Sequence, residues 1–171
     1  MKNFSRPLLT PHLKIRSAAQ SDMATWSALY EDEEARRHLN GPLNRSPEKW
    51  WEGQRENLGK VSEALSIVLP ESGEIVGVCG LIEWPFDSEW EVWLMLWPKF
   101  WRRSYGSQII KTLVNVAFKE LKAARVLGVV DPENCASIRM IEKLGFKYDR
   151  PYSGGSDWQK NHQIYALESY A

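Results

Sequence analysis

The sequence has few cysteines, no net charge and no long hydrophobic run. Cys79 and Cys135, the only cysteines among 171 residues, are too few for a disulfide framework or a structural zinc site. Because 22 basic residues balance 22 acidic ones, no global charge attracts nucleic acid or an anionic membrane. No apolar stretch approaches the roughly 20 residues that span a bilayer. These features predict a protein with no metal, no nucleic-acid partner and no membrane partner.

The amino-terminal segment shows no sign of export. Residues 1–9 contain Lys2 and Arg6 but no apolar segment of the kind found in secretion signals. The hydrophobic content of 43% and the charged content of 26% are ordinary for a globular chain. Since no repeat or linker interrupts the sequence, we expect one domain over residues 1–171, located in the cytoplasm.

Tryptophan is the residue that the chain has in excess. Five of its nine tryptophans lie between residues 84 and 101, namely Trp84, Trp90, Trp93, Trp97 and Trp101. Several of these large side chains are expected in the core, and the others could form the floor of a binding cleft.

The spacing of apolar residues predicts an α/β fold. The predicted strands cover residues 13–16, 64–69, 74–84, 89–96, 125–130, 146–148 and 163–167. The predicted helices run from Ser21 or Asp22 to before the breaker Asn40-Gly41-Pro42, from Ser46-Pro47, over residues 106–121, and from Asn134 to Gly145. A loop over residues 151–158 joins the last two strands. Several antiparallel strands thus precede a β-α-β-α unit, which indicates mixed pairing.

The most informative stretch is the loop between the strand 89–96 and the long helix. It reads Pro98-Lys99-Phe100-Trp101-Arg102-Arg103-Ser104-Tyr105-Gly106-Ser107-Gln108. A helix N-terminus presents unbonded N–H groups and a positive dipole end, and small residues let that backbone approach a phosphate closely. The pattern is typical of a phosphate-binding loop or, alternatively, of an ordinary surface turn capped by serine. The glycine and lysine spacing of a P-loop is missing.

A second polar pair lies at the start of the next helix. Asn134 and Ser137 follow the buried strand 125–130 and precede Lys143-Leu144-Gly145-Phe146. Asn134 is either the N-cap of that helix or a ligand contact, and the sequence leaves both possibilities open.

With these two motifs in this order, the chain resembles the GCN5-related N-acetyltransferase (GNAT) superfamily. The likeness is greatest to its branch of ribosomal-protein N-terminal acetyltransferases, which shows Pro-x-x-Trp-Gly-x-Gly-Tyr-Ala and later Asn-x-x-Ser ahead of Lys-Leu-Gly-Phe. This chain keeps the second motif unchanged, whereas the first becomes Pro98-x-x-Trp101-Arg102-Arg103-Ser104-Tyr105-Gly106. The resemblance covers about residues 12–168 and is specific over 89–108 and 134–146.

Three positions depart from the family pattern. Arg102 and Ser104 stand where the family has glycine, and Ile141 stands where many members have a tyrosine proposed to protonate the thiolate. A serine fits the tight phosphate turn if its φ is negative, and the bulky Arg102 has to point outward.

The resemblance implies a GNAT-like, mostly antiparallel sheet flanked by helices and splayed between the fourth and fifth predicted strands, 89–96 and 125–130. It implies acetyl-CoA as acyl donor, with the pantetheine pairing like a strand and the pyrophosphate on the loop backbone. A backbone N–H near Leu96 would polarise the thioester carbonyl. The residues implied to bind acetyl-CoA are Leu96, Trp97, Arg102, Arg103, Ser104, Tyr105, Gly106, Ser107, Asn134 and Ser137.

The implied reaction is acetyl transfer to a primary amine, which has to lose a proton because amine pKa values are about 8–10. The branch has a glutamate seven residues before the Pro98 position, which makes Glu91 the predicted base. Along a strand Glu91, Trp93 and Met95 share one face, so burial should raise the pKa of Glu91. Alternatively, Glu91 is purely structural and Glu83, Glu89 or His162 acts as the base.

The acceptor is the least defined part of the prediction. A protein N-terminus, a polyamine or an aminoglycoside-like amine would suit the family, with the protein acting as a monomer or homodimer. The acidic run of residues 31–34 is either a solvated helix face or a rim that attracts such a cation. A catalytically silent acyl-CoA-binding or interaction protein on the same fold is the second hypothesis. Ser104 and the missing tyrosine favour it slightly, and the intact Asn134/Ser137 pair favours the enzyme.

Overall fold

The computed structural model describes residues 6–39, 46–55, 64–85, 88–153 and 161–169. The predicted breaker at residues 40–42 and most of the predicted loop at 151–158 lie outside these ranges. Within them, no helix is long and apolar enough to cross a membrane.

The strands and helices follow one another in the predicted order, with one additional short strand at the start. The strands are β1 Leu8–Leu9, β2 Lys14–Ser17, β3 Leu65–Val68, β4 Ile75–Glu83, β5 Glu89–Leu96, β6 Arg125–Val130, β7 Lys147–Pro151 and β8 Gln163–Glu168. The helices are α1 Met23–Glu31, α2 Glu33–Arg36, α3 Pro47–Arg55, α4 Tyr105–Lys119 and α5 Cys135–Lys143. Short 3₁₀ turns cover Gln20–Asp22 and Pro98–Phe100.

The eight strands form one sheet in the order β1-β2-β3-β4-β5-β6-β8-β7. Every neighbouring pair is antiparallel except β5 and β6, which run parallel. The prediction of a mixed, mostly antiparallel α/β sheet flanked by helices is therefore confirmed.

The sheet is splayed between β5 and β6. These two strands pair only where Glu89, Trp90 and Glu91 lie beside Arg125, Val126 and Leu127. Beyond that point β5 continues along β4 and β6 continues along β8, so the carboxyl-terminal halves of β5 and β6 diverge. Because Leu8–Leu9 adds a strand at the start, these are the fourth and fifth strands of the sequence prediction, and the splay is where it was expected.

Side-chain alternation along β5 supplies two separate cores, one on each face of the sheet. Trp90, Val92 and Leu96 pack with α4 in the larger core. Trp93 and Met95 belong to a smaller core that contains Trp26 of α1. Glu91 has the same parity as Trp93, so the strand directs its carboxylate to the α1 face.

The first predicted helix is divided in two, and its predicted cap has another role. Asp32 adopts an extended conformation (ψ 115°) after α1, and its carboxylate accepts the Ala35 N–H at 2.7 Å, which starts α2. Asp22 precedes α1 without capping it, because its buried carboxylate accepts hydrogen bonds from Arg16 at 2.6 Å and Ser66 at 2.7 Å. The acid is therefore used to join β2 and β3 to the start of α1.

An ion network joins the strands at the closed end of the splay. The buried Glu89 carboxylate accepts hydrogen bonds from Arg125 at 2.8 Å and from Arg150 at 3.2 Å. Arg125 also donates to Asp149 at 2.7 Å. Since these residues belong to β5, β6 and β7, their charges hold three strands together where β5 and β6 are still paired.

Candidate active site

A cleft of about 1460 Å³ opens where β5 and β6 diverge. One end lies at the amino terminus of α4, and the other lies beside Glu91 and the end of the β4–β5 hairpin. Side chains of α2, α5 and the segment before β8 complete its walls. The splay thus produces one continuous space that reaches from a helix end to a half-buried carboxylate.

The end of the cleft at α4 fits a phosphate group. The first turn of the helix leaves the N–H groups of Tyr105, Gly106 and Ser107 without helical partners. Ser104, in the N-cap position, makes no side-chain capping bond. Arg102 is exposed at the rim, as its size requires, and adds positive charge beside the helix dipole.

The backbone of this loop is left-handed at the two positions where the family has glycine. Ser104 and Arg102 both have a φ of +59°, in the left-handed region that non-glycine residues rarely adopt. Ser104 thus does not meet the condition under which a serine fits the turn, because the turn into α4 needs the conformation that glycine adopts easily. The chain therefore keeps the glycine geometry of the loop with two residues that are strained in it.

Peptide groups of β5 face the opened splay. The N–H of Trp97 donates to the Val76 carbonyl in β4 at 3.0 Å. Because successive residues of a strand direct their own N–H and C=O groups to alternate sides, those of Leu94 and Leu96 are directed to the β6 side. The indole N–H of Trp101 donates to the carbonyl of Leu96 at 3.0 Å, which agrees with that direction. The Leu96 N–H is thus directed toward the cleft, whereas the peptide N–H of Trp97 is already bonded.

The α5 side of the cleft contains the second motif. The Asn134 side chain accepts the Ser137 N–H at 3.1 Å, so Asn134 is the N-cap of α5. Both side chains also line the cleft. Gly106 of α4 lies against Met140 of α5, since a Cβ built on it would be 2.8 Å from the Met140 sulfur. Gly145, with a φ of +95°, ends the helix as predicted.

Glu91 lies half-buried in the cleft wall. Its Oε2 accepts a hydrogen bond from the Trp84 indole N–H at 3.1 Å. Burial raises the pKa of the Glu91 carboxyl, and the Trp84 hydrogen bond opposes part of this increase. The pKa of Tyr152 is raised as well, by burial and by the negative charge of Glu91. A carboxyl with a raised pKa at an open cleft suits a proton acceptor near neutral pH.

A histidine–aspartate pair crosses the cleft. His38, just after α2, has its Nδ1 2.9 Å from the Asp131 carboxylate at the end of β6. Burial alone would raise the pKa of Asp131, but hydrogen bonds from the Glu133 N–H and from His38, with the nearby charge of His162, lower it. The sequence gives no local sign of this group, because the partners are far apart along the chain.

The tryptophans and the acidic run divide between core and cleft. Trp90 is buried, whereas Trp84, Trp93 and Trp101 line the cleft. The Trp93 indole lies over Gly80, since a Cβ at that glycine would be 2.8 Å from the Trp93 Nε1. Of the acidic run at residues 31–34, only Glu34 lines the cleft.

The structure brings most of the predicted site residues together. Those that line the cleft are Glu91, Leu96, Arg102, Ser104, Tyr105, Gly106, Ser107, Asn134 and Ser137. Trp97 and Arg103 are not among its lining residues, and the Arg103 guanidinium lies 5.6 Å from the centre of the Phe100 ring instead. In the described ranges, no three metal-ligating side chains are grouped.

A helix-flanked, mostly antiparallel sheet with a cleft at its one parallel junction defines a class of fold used by acetyltransferases. The family model of the acetyltransferase (GNAT) domain matches residues 12–147. The chain belongs to this family.

Two relatives in Bacillus subtilis match nearly the full chain. The uncharacterized protein YkkB is 24% identical over 98% of this chain and 99% of its own length. The uncharacterized N-acetyltransferase YnaD is 21% identical over 94% of this chain and 96% of its own.

Solved structures share the fold over nearly all of this chain. A GNAT-family acetyltransferase from Bacillus anthracis has a TM-score of 0.80 at 19% identity, covering 95% of this chain and 98% of that one. The spermidine N-acetyltransferase of Vibrio cholerae, solved with CoA and spermine, has a TM-score of 0.78 at 12% identity, covering 92% and 95%. The ribosomal-protein-S5-alanine acetyltransferase of Vibrio fischeri has a TM-score of 0.73 at 16% identity, covering 96% and 97%. At these identities the likeness concerns the fold.

Proposed function

We propose that this protein, as a single domain over residues 1–171, transfers the acetyl group of acetyl-CoA to a primary amine. The observation that carries the proposal is the continuous cleft between the amino terminus of α4 and the half-buried Glu91. Membership of the acetyltransferase family supports the reaction class.

Acetyl-CoA would supply the acyl group as a thioester. The N–H groups of Tyr105, Gly106 and Ser107 would bind its pyrophosphate, with Arg102 adding charge at the rim. The peptide groups of β5 that face β6 would align the pantetheine arm, and the Leu96 N–H would donate to the thioester carbonyl oxygen as negative charge develops there. Asn134 and Ser137 would contact the arm from α5.

Glu91 would accept the proton that the amine loses, directly or through water. The amine nitrogen forms the new C–N bond as the C–S bond breaks, the sulfur leaves as a thiolate, and the amine proton passes to the carboxylate. Ile141, a buried residue of α5, offers no hydroxyl to the thiolate. Solvent at the open cleft would therefore supply the proton to the sulfur.

The acceptor we propose is cationic in its resting form, such as a protein N-terminus or a small amine. Carboxylates of Glu34, Glu83 and Asp131 line the cleft together with Glu91, and they would attract an ammonium group. The spermine in the Vibrio cholerae structure is an amine of this kind. Trp84 and Trp93 provide aromatic surface for its carbon chain or for a cation–π contact.

Thiol release across a panel of amines tests the proposal directly. Peptides with different amino-terminal residues, polyamines and aminoglycosides would be offered with acetyl-CoA, and free CoA would be measured. We expect amine-dependent release that Glu91→Gln lowers about 10²–10³-fold in kcat, with less loss at higher pH where more amine is neutral. If the Glu91→Gln variant keeps full kcat and an unchanged pH profile, the proton acceptor is Glu83, His162 or water instead.

A silent acyl-CoA-binding protein is the second candidate, favoured by the strained Ser104 and Arg102 at the phosphate turn and by Ile141. Thermal unfolding with CoA, combined with the thiol-release assay, distinguishes the two functions. Ligand at 100-fold above Kd should stabilise the fold by about 2.7 kcal/mol whether or not the protein is an enzyme. Stabilisation without thiol release for any amine supports the silent binder, and no stabilisation contradicts both functions.

A further inference from the structure

Trp84 lies at the end of the β4–β5 hairpin, directly beside Glu91. Its indole N–H donates to the Glu91 Oε2 at 3.1 Å, and its main-chain N–H donates to the Glu89 carbonyl at 2.9 Å. The backbone bond closes the hairpin and fixes the Cα of Trp84. Glu91 lines the cleft, and among the described residues no hydrogen bond is directed to its Oε1, so only one of the two carboxylate oxygens is held.

Two side chains from β7 and its end hold the indole. The Arg150 guanidinium carbon lies 5.9 Å from the Trp84 ring centre, and the Tyr152 ring meets Trp84 edge-on with centroids 6.1 Å apart. Arg150 is itself fixed by its ion pair with the buried Glu89 at 3.2 Å. The indole is therefore held from a strand that is distant from Glu91 in the sheet order.

We propose that Trp84 is a positioning residue for Glu91. Its indole N–H holds Oε2 so that Oε1 receives the amine proton, and Arg150 and Tyr152 hold the indole in place. This inference rests on the proposed role of Glu91 as the base.

The hydrogen bond also acts on the charge of Glu91. Burial disfavours the ionised carboxylate, whereas a donor aimed at it favours the ionised form. Trp84 therefore increases the fraction of Glu91 that can accept a proton near neutral pH. The other titratable groups that line the cleft are Tyr30, Glu34, Arg37, His38, Glu83, Glu89, Arg102, Tyr105, Asp131, Arg150, Tyr152 and His162.

Trp84→Phe removes the donor and keeps an aromatic ring between Arg150 and Tyr152. We expect the acidic limb of the kcat–pH profile to move up by about one pH unit, because a hydrogen bond to the charged carboxylate is lost. At pH values below the new limb, kcat should fall about tenfold while the KM for acetyl-CoA is unchanged. An acidic limb that does not move would refute the inference.

A double-mutant cycle with Glu91→Gln separates positioning from packing. If Trp84 acts through Glu91, adding Trp84→Phe to Glu91→Gln should lower kcat by less than twofold further. Trp93→Phe serves as the matched control, because it removes another cleft indole N–H that is not bonded to Glu91, and its effect should multiply with that of Glu91→Gln. Multiplicative effects for Trp84→Phe would mean a packing role. If Glu91→Gln alone keeps full kcat, the proposed function loses its base, which is a separate failure.

A titration of the wild-type protein decides the question if Trp84→Phe does not fold. The ¹H–¹⁵N resonance of the Trp84 indole should shift with pH, with the same midpoint as the acidic limb of kcat/KM, which reports the free protein, and Glu91→Gln should abolish the shift. An indole resonance that does not respond to pH, or that responds equally in Glu91→Gln, would overturn the inference.

Discussion

Replacing Ser104 by glycine should stabilise the fold, although it deletes a side chain at the candidate site. Ser104 has a φ of +59°, where an L-residue costs about 1–2 kcal/mol and glycine costs little. Glycine is more flexible in the unfolded chain, which offsets about 0.5–1 kcal/mol of that gain. The net gain of about 0.5–1 kcal/mol corresponds to a rise in Tm of about 1–4 °C for a chain of this size.

Calorimetric Tm values of three matched glycine variants test this reasoning. Arg102→Gly and Lys122→Gly should also raise Tm, since both residues have the same φ of +59° and Lys122 follows α4. Lys111→Gly replaces an exposed residue within α4 and should lower the unfolding free energy by roughly 0.7 kcal/mol. If Ser104→Gly lowers Tm as Lys111→Gly does while Lys122→Gly raises it, strain at Ser104 is refuted.

The same variant reports on the phosphate turn. Because glycine keeps the left-handed turn, Ser104→Gly should leave the Kd for CoA within about twofold, measured by calorimetric titration. A loss of tenfold or more would mean that the serine hydroxyl itself contacts the ligand.

Three other predictions concern the cleft. Asn134→Ala should lower the unfolding free energy by about 1 kcal/mol through loss of the α5 cap, and it should also weaken CoA binding. Ser137→Ala keeps the cap and should affect CoA binding alone. Unchanged affinity for CoA in both variants would mean that the two residues are only structural. Gly106→Val should lower Tm by crowding Met140 and weaken CoA binding; if adding Met140→Ala restores Tm and affinity together, the loop backbone is outside the site. Because folding raises the pKa of Glu91, the stability of the protein should fall as pH rises from about 4.5 through the pKa of Glu91 in the folded state. Glu91→Gln should flatten the dependence of Tm on pH in that window. An equally steep slope in the variant would contradict the argument that burial raises this pKa.

Local patterns were sufficient for the elements and for the family. The strand β5 was predicted with its observed bounds, Glu89–Leu96, because the turn residues 85–88 before it and Trp97-Pro98 after it are local signals that delimit a strand. The Gly145 helix end was also predicted, and the Asn134 cap was one of the two roles that the sequence left open, since each depends on contacts within a few residues. Most of the residues predicted to bind acetyl-CoA line one cleft. They belong to two local motifs, one directly after β5 and one directly after β6, and these two strands are neighbours in the sheet.

The sequence could not show where contacts between residues far apart along the chain outweigh local preferences. Ser21 or Asp22 was expected to cap α1, but the guanidinium of Arg16 and the hydroxyl of Ser66 bind the buried Asp22 carboxylate. A serine at position 104 was expected to fit the turn if its φ were negative, but the chain direction between β5 and α4 requires the left-handed turn.

The sequence by itself determined the order of strands and helices, the two motifs and the chemistry available at each, because these depend on residues close along the chain. Only the tertiary structure decided that Trp84 bonds Glu91 and that His38 meets Asp131, since both contacts follow from how strands and helices pack. The divergence of β5 and β6 connects the two ends of the site, because it opens one cleft between the amino terminus of α4 and the half-buried Glu91 carboxylate.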